Sequence, residues 1–495
     1  MRDRLFNFLY AHPHSLTIDH PQRQAVCRVL RRELQRRPRP KRPRFATLNE
    51  SPVEAMPPLR LRSSIDILAT FPMTTYFATG SESTSLTSED LKAALQLTFD
   101  AIGKPKRVLL LPPDHTRIFS RAGELTAMCH QMLGDAVADI MPALGTHSPM
   151  KPEQLKHMFP GVPLDLFRPH RWRDDVVTLD EVPASFVSEV TGGLYNSPWK
   201  AQVNQLLRDG GHDLIFSIGQ VVPHEVIGMA NYNKNVFVGT GGAEGINESH
   251  YLSAIYGIEQ TLGRADTPLR QILNYAQDHF CKDMPLLYAL TVIQQMPDGT
   301  LHTRGLYIGD DHETFFQAAE LARKVNITHL DRAPKHVVAY LDPTEFKSTW
   351  LGNKAIYRTR LAIATGGRLT VLGPAVEEFG EDPEIDRLIR KYGYQTKEEI
   401  VQMVADNEDL AANPSAAAHL VHGSHENRFE VVYAAGKLTA EEIASVNYTP
   451  GDINELMQRY DVSKLNDGWH TDIDGTEFYF IRNPALGLWE ASDRG

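Results

Sequence analysis

His224, Lys234 and His250 stand in one stretch, Asp213–His250, that joins two imidazoles and a primary amine to a glycine-rich turn. An imidazole titrates near neutrality and can act as acid, base or metal ligand. An amine becomes a nucleophile once a pocket removes its proton. Together these groups read as a cofactor pocket. The stretch opens with an apolar run, Leu214–Ile218, long enough for a buried strand, breaks at Gly219-Gln220, and reaches Pro223-His224 where a strand-to-helix loop should begin. A second apolar run, Val236–Val238, leads into the glycines of Gly239–Gly245. In open α/β sheets, pockets form outside the carboxyl ends of strands. A blander reading stands beside this one. Among 20 histidines a few fall near strand ends by chance, and a lysine between Asn233 and Asn235 is usually a solvated loop residue.

Other candidates follow other strands. The strand candidate Arg107–Leu111 runs into Pro112-Pro113-Asp114-His115-Thr116-Arg117, a carboxylate, a hydroxyl and a guanidinium where a βα loop faces a ligand. Arg117 offers the planar fork that suits a carboxylate or phosphate. Asp114 or Thr116 serves equally well as the cap of a helix over Ser120–Met132. The apolar segment Ala136–Leu144 ends at Gly145-Thr146-His147, which puts His147 at another strand end. Further on, His419, His422 and His425 cluster before a strand over Phe429–Ala435. With no carboxylate at helical register, a loop or cap role outweighs a metal site there. Gly239-Thr240-Gly241 is a poor dinucleotide fingerprint, since the third glycine is out of place and no acidic residue follows at the expected distance. Backbone amides of this loop, Gly241 and Gly242 included, can still hold a phosphate.

These groups need a frame, and the composition supplies room for one. At 495 residues the chain can bury two or three cores, and 42% hydrophobic with 23% charged residues is ordinary for a globular protein. A net charge of -11 argues against bulk nucleic-acid affinity. Cys27, Cys129 and Cys281 lie far apart and form no metal or disulfide pattern, which suits a reducing cytoplasm. No apolar run approaches a membrane span and no signal-peptide core opens the chain.

The alternation of short apolar runs with helical segments predicts an α/β fold of two α/β domains, with a cofactor and substrate cleft between them. A basic N-terminal extension covers 1–60, with helical spacing over Gln22–Gln35 and a Pro/Arg/Lys run at Arg36–Arg44. A cofactor-binding and catalytic domain is expected over 61–275, a second α/β domain over 276–440, and a C-terminal extension over 441–495. The hairpin Leu286–Gln295 with Leu301–Ile308 opens the second domain. Strand His336–Leu341, helix Ala355–Ala364 and strand Leu369–Gly373 then form a βαβ-like unit, and the tail reads as a terminal hairpin around Asp474-Gly475.

In order and interval, Pro223-His224, Gly228, Lys234, the glycine loop and His250 resemble the signature of the nickel-dependent lactate racemase family. That pattern runs Pro-His, a Gly-Phe-Ser-Gly-Gly segment before the lysine, then a Pro-Gly-rich loop and a histidine. This chain carries Ala230-Asn231-Tyr232 in place of Ser-Gly-Gly. The family's Asp-x-Thr-Arg motif matches Asp114–Arg117, with Ile118 where proline is usual, and its Gly-Thr-His matches Gly145–His147. The resemblance covers roughly residues 70–440.

What it implies is specific. His147 and His224 become the catalytic bases, and Lys234 the covalent anchor of a nickel-pincer nucleotide (nickel pyridinium-3,5-bisthiocarboxylic acid mononucleotide). His250 becomes the nickel ligand, while Asp114, Thr116, Gly241 and Gly242 lie against the cofactor. Arg117, with Tyr357, Arg358 and Arg360, would meet the substrate. The family's Tyr-Gln pair, with a lysine one turn later, is here Tyr357-Arg358, with Leu361 at the lysine's place and Arg360 beside it.

The implied function is a 2-hydroxy-acid racemase or epimerase that inverts C2 by moving a hydride to the cofactor and back, with a substrate larger or more polar than lactate. Its partners would be the small-molecule acid and separate cofactor-building enzymes, with no nucleic acid or membrane and the oligomeric state open. Two other readings stand beside it: a nicotinamide-dependent oxidoreductase, and a non-catalytic homologue that binds a metabolite or cofactor.

Overall fold

Six short runs build the first sheet: β1 (Thr75–Gly80), β2 (Val108–Leu111), β3 (Val137–Ile140), β4 (Leu214–Gln220), β5 (Leu286–Gln295) and β6 (Leu301–Gly309). They lie in the order β1-β6-β5-β4-β2-β3. β2 runs parallel to β3 and β4, and β4 parallel to β5, whereas β6 returns antiparallel to β5 and β1 antiparallel to β6. All of β2 is buried, and so is β4 up to Gly219. Continuous apolar runs of this kind mark strands covered on both faces. The structure, a computed structural model, describes residues 74–494 apart from 297, 298 and 486.

A second sheet holds β7 (His336–Tyr340), β8 (Arg368–Gly373), β9 (Glu430–Ala435), β10 (Thr449–Pro450), β11 (Gly468–Thr471) and β12 (Glu477–Ile481), in the order β10-β9-β8-β7-β12-β11. It is parallel except at β11. Among the helices are α1 (Ala122–Leu133), α2 (Ala243–Tyr256), α3 (Pro268–Phe280), α4 (Lys354–Thr359) and α5 (Pro414–Gly423). α5 packs on α2 and so joins the half built on the second sheet to the half built on the first. The described residues form one compact unit. Among the described residues no helix is long and apolar enough to cross a membrane.

The α/β class with two sheets is as the sequence predicts, but two boundaries move. The hairpin of β5 and β6 belongs to the first sheet, because β5 finds its parallel partner in β4. The first half therefore runs past 276 and takes in the helix His312–Asn326, whose Phe315, Ala318 and Ala322 join the core against that sheet. Residues 441–495 are no appendage either. β12 lies beside β7 inside the second sheet, and Trp489–Ala491 pairs in parallel with Thr328–Leu330. The N-terminal extension at 1–60, with its helix and basic run, lies outside the described residues.

Candidate functional site

The carboxyl ends of β2 and β4 lie side by side, Leu111 opposite Ser217, and the loops beyond them carry the first groups. Asp114 caps the short 3-10 helix His115–Ser120: its Oδ1 accepts from the Thr116 backbone N–H at 3.2 Å and from the Thr116 hydroxyl. Its Oδ2 accepts from His147 Nδ1 at 2.7 Å. Asp114 thus caps the helix with one oxygen and meets His147 with the other. Asp114 is buried while the His147 side chain is 59% exposed. Burial opposes the Asp114 charge, but the bonds from His147 and Thr116 outweigh it and hold the carboxyl below its usual range. Because a carboxylate only accepts, Nδ1 of His147 carries the proton, and Nε2 keeps a lone pair in the neutral ring. The loop is pinned to the glycine turn, since the Gly145 N–H donates to the Gly239 carbonyl at 2.8 Å.

After β4 comes a tight hairpin instead of the expected helix: Pro223 faces Met229 and His224 faces Gly228. Gly228 has φ +84°, and a Cβ there would stand 2.1 Å from the Arg264 carbonyl, so glycine is required. The His224 side chain is 12% exposed. Burial drives its pKa well below the ordinary value, against the pull of Glu225. Its Nδ1 accepts the Val226 N–H at 3.1 Å, which places the proton of the neutral ring on Nε2. The two imidazoles thus carry opposite tautomers.

Lys234 is not a solvated loop residue. Asn233 and Asn235 are buried on either side of it; the Asn233 amide donates to Asn274 at 2.7 Å and the Asn235 amide to Ser217 at 3.3 Å. Burial first and Arg117 second lower the Lys234 amine to about 8. Val236–Val238, the second apolar run, lies in a buried π-helical turn, Asn235–Gly239.

The chain's departure from Ser-Gly-Gly has a structural basis just before the lysine. Asn231 and Tyr232 sit at φ +68° and +61°, the left-handed region that glycine enters freely and other residues at a cost of about 1–2 kcal/mol. The Tyr232 ring stacks on Phe315, and its hydroxyl meets His312 Nδ1 and Gln277 Nε2, both at 2.9 Å. The buried Arg270 donates to the carbonyls of Met229 and Asn231. Packing and hydrogen bonds hold the strained pair, so Lys234 leaves a rigid base.

His250 lies on α2. Its Nδ1 donates to the Ile246 carbonyl at 2.7 Å, and burial lowers its pKa. Nε2 is therefore left with a lone pair, the tautomer a metal ligand needs. The glycines before α2 are close-packed. A Cβ on Gly241 would reach 1.9 Å from the Phe237 carbonyl, and one on Gly242 would reach 2.4 Å from the Gln202 side chain. Gly242 is the helix N-cap and places no side chain over the first turn.

The second half contributes α4. Arg358 is buried, donates to the Pro223 carbonyl at 3.1 Å and lies 3.5 Å from Glu225. Tyr357 is buried beside it. Arg360, grouped with them in the sequence, points elsewhere. Its guanidinium is 3.2 Å from Glu259 and 3.2 Å from the His422 carbonyl, a structural ion pair rather than a substrate anchor.

Glu225 is the group that sequence reasoning missed. Burial disfavours its charge, yet His224, Arg358 and Lys354 hold it well below the carboxylate range. The same neighbourhood links the remaining candidates. The Arg117 guanidinium feels Glu225, Arg358, Asp114 and Tyr357; Lys234 feels Arg117, Glu225 and Asp114; His250 feels Lys234 and Glu225. Asp114, Arg117, Glu225, Lys234, His250, Tyr357 and Arg358 thus act on one another, whereas Arg360 is held by Glu259 and the His422 carbonyl. Among the described residues no three His, Cys, Asp or Glu side chains converge as a metal site.

Strand ends that carry these groups, facing a second α/β layer, define a two-sheet α/β protein with its site between the halves. No family model matches the chain, and no curated protein matches it by sequence. Two solved structures share its fold. One is a crystal structure of a Thermotoga maritima protein, with a TM-score of 0.68 and 24% identity over 84% of this chain and 100% of that one. The other is the lactate racemase apoprotein from Thermoanaerobacterium thermosaccharolyticum, with a TM-score of 0.62 and 14% identity over 82% of this chain and 93% of that one. The chain has a lactate racemase-like fold.

Proposed function

We propose that this protein is a racemase or epimerase of 2-hydroxy acids that works with a nickel-pincer nucleotide held by Lys234. The observation that carries the reading is one neighbourhood holding a buried amine lowered to about 8, a histidine with a free Nε2 lone pair, and two further imidazoles on strand-end loops. The residues fit that cofactor. Since no three such ligands gather among the described residues, a metal held by His250 would take its other donors from the nucleotide, and imidazole suits nickel. When bound, the group supplies an acceptor for the hydride that C2 releases, chemistry no side chain offers.

The chain's own residues do the rest. Lys234, deprotonated more readily than a free lysine, would hold the nucleotide ring, and His250 would hold the metal through Nε2. The first-turn amides of α2 beyond Gly241 and Gly242 would hold the nucleotide phosphate. Arg117 takes the substrate carboxylate in a forked contact. His147 Nε2 accepts the hydroxyl proton on one face, and Asp114 steadies the cation that forms. His224 serves the opposite face, with Glu225 and Arg358 setting the charge around it. The Arg358 guanidinium, where the resembling family has a glutamine, favours a substrate longer or more polar than lactate.

The packing that holds Asn231 and Tyr232 beneath Lys234 favours an anchoring lysine over a non-catalytic homologue. The test is co-production with the cofactor-building enzymes, followed by intact mass, nickel content and chiral chromatography of a 2-hydroxy-acid panel. A mass increase on Lys234, about one nickel per chain and inversion of at least one acid are expected. An unmodified lysine with no inversion would end the proposal.

A further inference from the structure

His419, His422 and His425 have separate fates. Nε2 of His419 meets the Tyr394 hydroxyl at 3.1 Å, and its ring lies 4.3 Å from that of Trp350. His425, beyond the end of α5, accepts the Asn427 N–H at 3.1 Å. His422 differs. Its carbonyl serves Arg360, but its buried Nε2 has no hydrogen-bond partner. The residue is 6% exposed on the last turn of α5, the helix packed on the one that carries His250. Its ring lies edge-on to Tyr357, with centroids 6.4 Å apart, and Glu225, His250 and Arg360 all act on it. Burial lowers its pKa to about 4, so at neutral pH the ring is uncharged, with one N–H and one lone pair.

A buried polar nitrogen without a partner costs about 1–3 kcal/mol, and native proteins keep such groups mainly where a ligand or water completes them. The proposed mechanism already accounts for the carboxylate through Arg117, the hydroxyl through His147 and His224, and the metal through His250. His422 enters from the other half, beside Tyr357, and has no part in that set. An uncharged imidazole suits a hydroxyl or carboxylate oxygen.

We propose that His422 recognises an oxygen-bearing group on the third or a later carbon of the substrate, which makes it a specificity residue for acids more polar than lactate. This rests on the 2-hydroxy-acid reading of the site. Calorimetric titration of the full-length protein with lactate, glycerate and malate tests it. Lactate lacks the distal oxygen, glycerate carries it as a hydroxyl and malate as a carboxylate. Glycerate or malate should bind at least tenfold tighter than lactate, and whichever is preferred tells the two oxygens apart. His422→Phe should abolish that preference and leave lactate affinity within about twofold, while His422→Gln should keep part of it. The proposal is overturned if the unmodified protein does not discriminate, if none of the three acids binds, or if His422→Phe and His422→Gln weaken all three alike. Discrimination in a cofactor-loaded protein that inverts no acid would sink the racemase reading alone. Inversion of lactate, glycerate and malate with equal kcat/KM would sink the role of His422 alone.

Discussion

His147 and His224 stand on loops of one sheet, beyond the strands on either side of β2, yet they differ in almost every physical respect. His147 is 59% exposed and hydrogen-bonded to a buried carboxylate; His224 is 12% exposed, and its Nδ1 accepts from a backbone amide. The first ring offers a lone pair on Nε2 and the second an N–H. Like residues at like strand ends become unlike reagents because their partners, an acceptor in one case and a donor in the other, fix the tautomer. The proposed inversion needs one group to take a proton and another to give one, so His224 would have to gain a proton before it donates.

The contrast can be broken at its centre. Lys234→Ala should abolish both cofactor retention and inversion, read by intact mass and chiral assay; retained nickel would place the anchor elsewhere. Next in size, His147→Ala and His224→Ala should each lower turnover by about 10²–10⁴-fold. Added imidazole should rescue only His147→Ala, because that position opens to solvent. Equal rescue of both variants would erase the difference between the open and the closed face.

Two smaller effects sharpen the closed face. Arg358→Met should raise KM with little change in stability beyond the loss of its Glu225 contact. Arg360→Met should leave KM alone and cost on the order of 2 kcal/mol, because Arg428 and Arg494 still flank Glu259; the melting temperature reads this. Glu225→Gln tests the charge balance through pH. The folded-state pKa of Glu225 is depressed, so the stability it contributes is complete above the unfolded carboxyl value of about 4.3 and fades as pH falls below it. The melting-temperature gap between Glu225→Gln and the parent should be constant from pH 5 to 8 and narrow steadily below about pH 4, without closing at pH 3. Smallest is a rate profile. Cyanate should carbamylate Lys234 with a half-rise near pH 8, where a free lysine would need pH above 10.

Much of the site was legible in the sequence because strand ends announce themselves. Buried runs ending in polar residues marked Asp114, Arg117, His147 and His224 as candidates, and the structure sets them on loops beyond β2, β3 and β4. Arg360 was misplaced for a reason also in the sequence: residues two apart on a helix point about 200° apart, so Arg358 and Arg360 could not both face the cleft. Glu225 left no signal, since a single carboxylate after a histidine says nothing of the cations that three other segments bring to it. The left-handed backbone at Asn231 and Tyr232 was invisible as well, because neither residue type demands it and only the surrounding packing holds it. The misplaced hairpin shares that cause: β5 reads as a strand locally, but its partner β4 is distant in sequence.

The Tyr232 hydroxyl links the lysine's loop to His312 at the start of one helix and to Gln277 on another. Neither residue belongs to the proposed chemistry, yet both decide where the amine stands. Surgery on either helix, by mutation or by grafting the loop onto a new scaffold, would therefore move the tether point of any attached group and disarm the protein without touching a reacting atom.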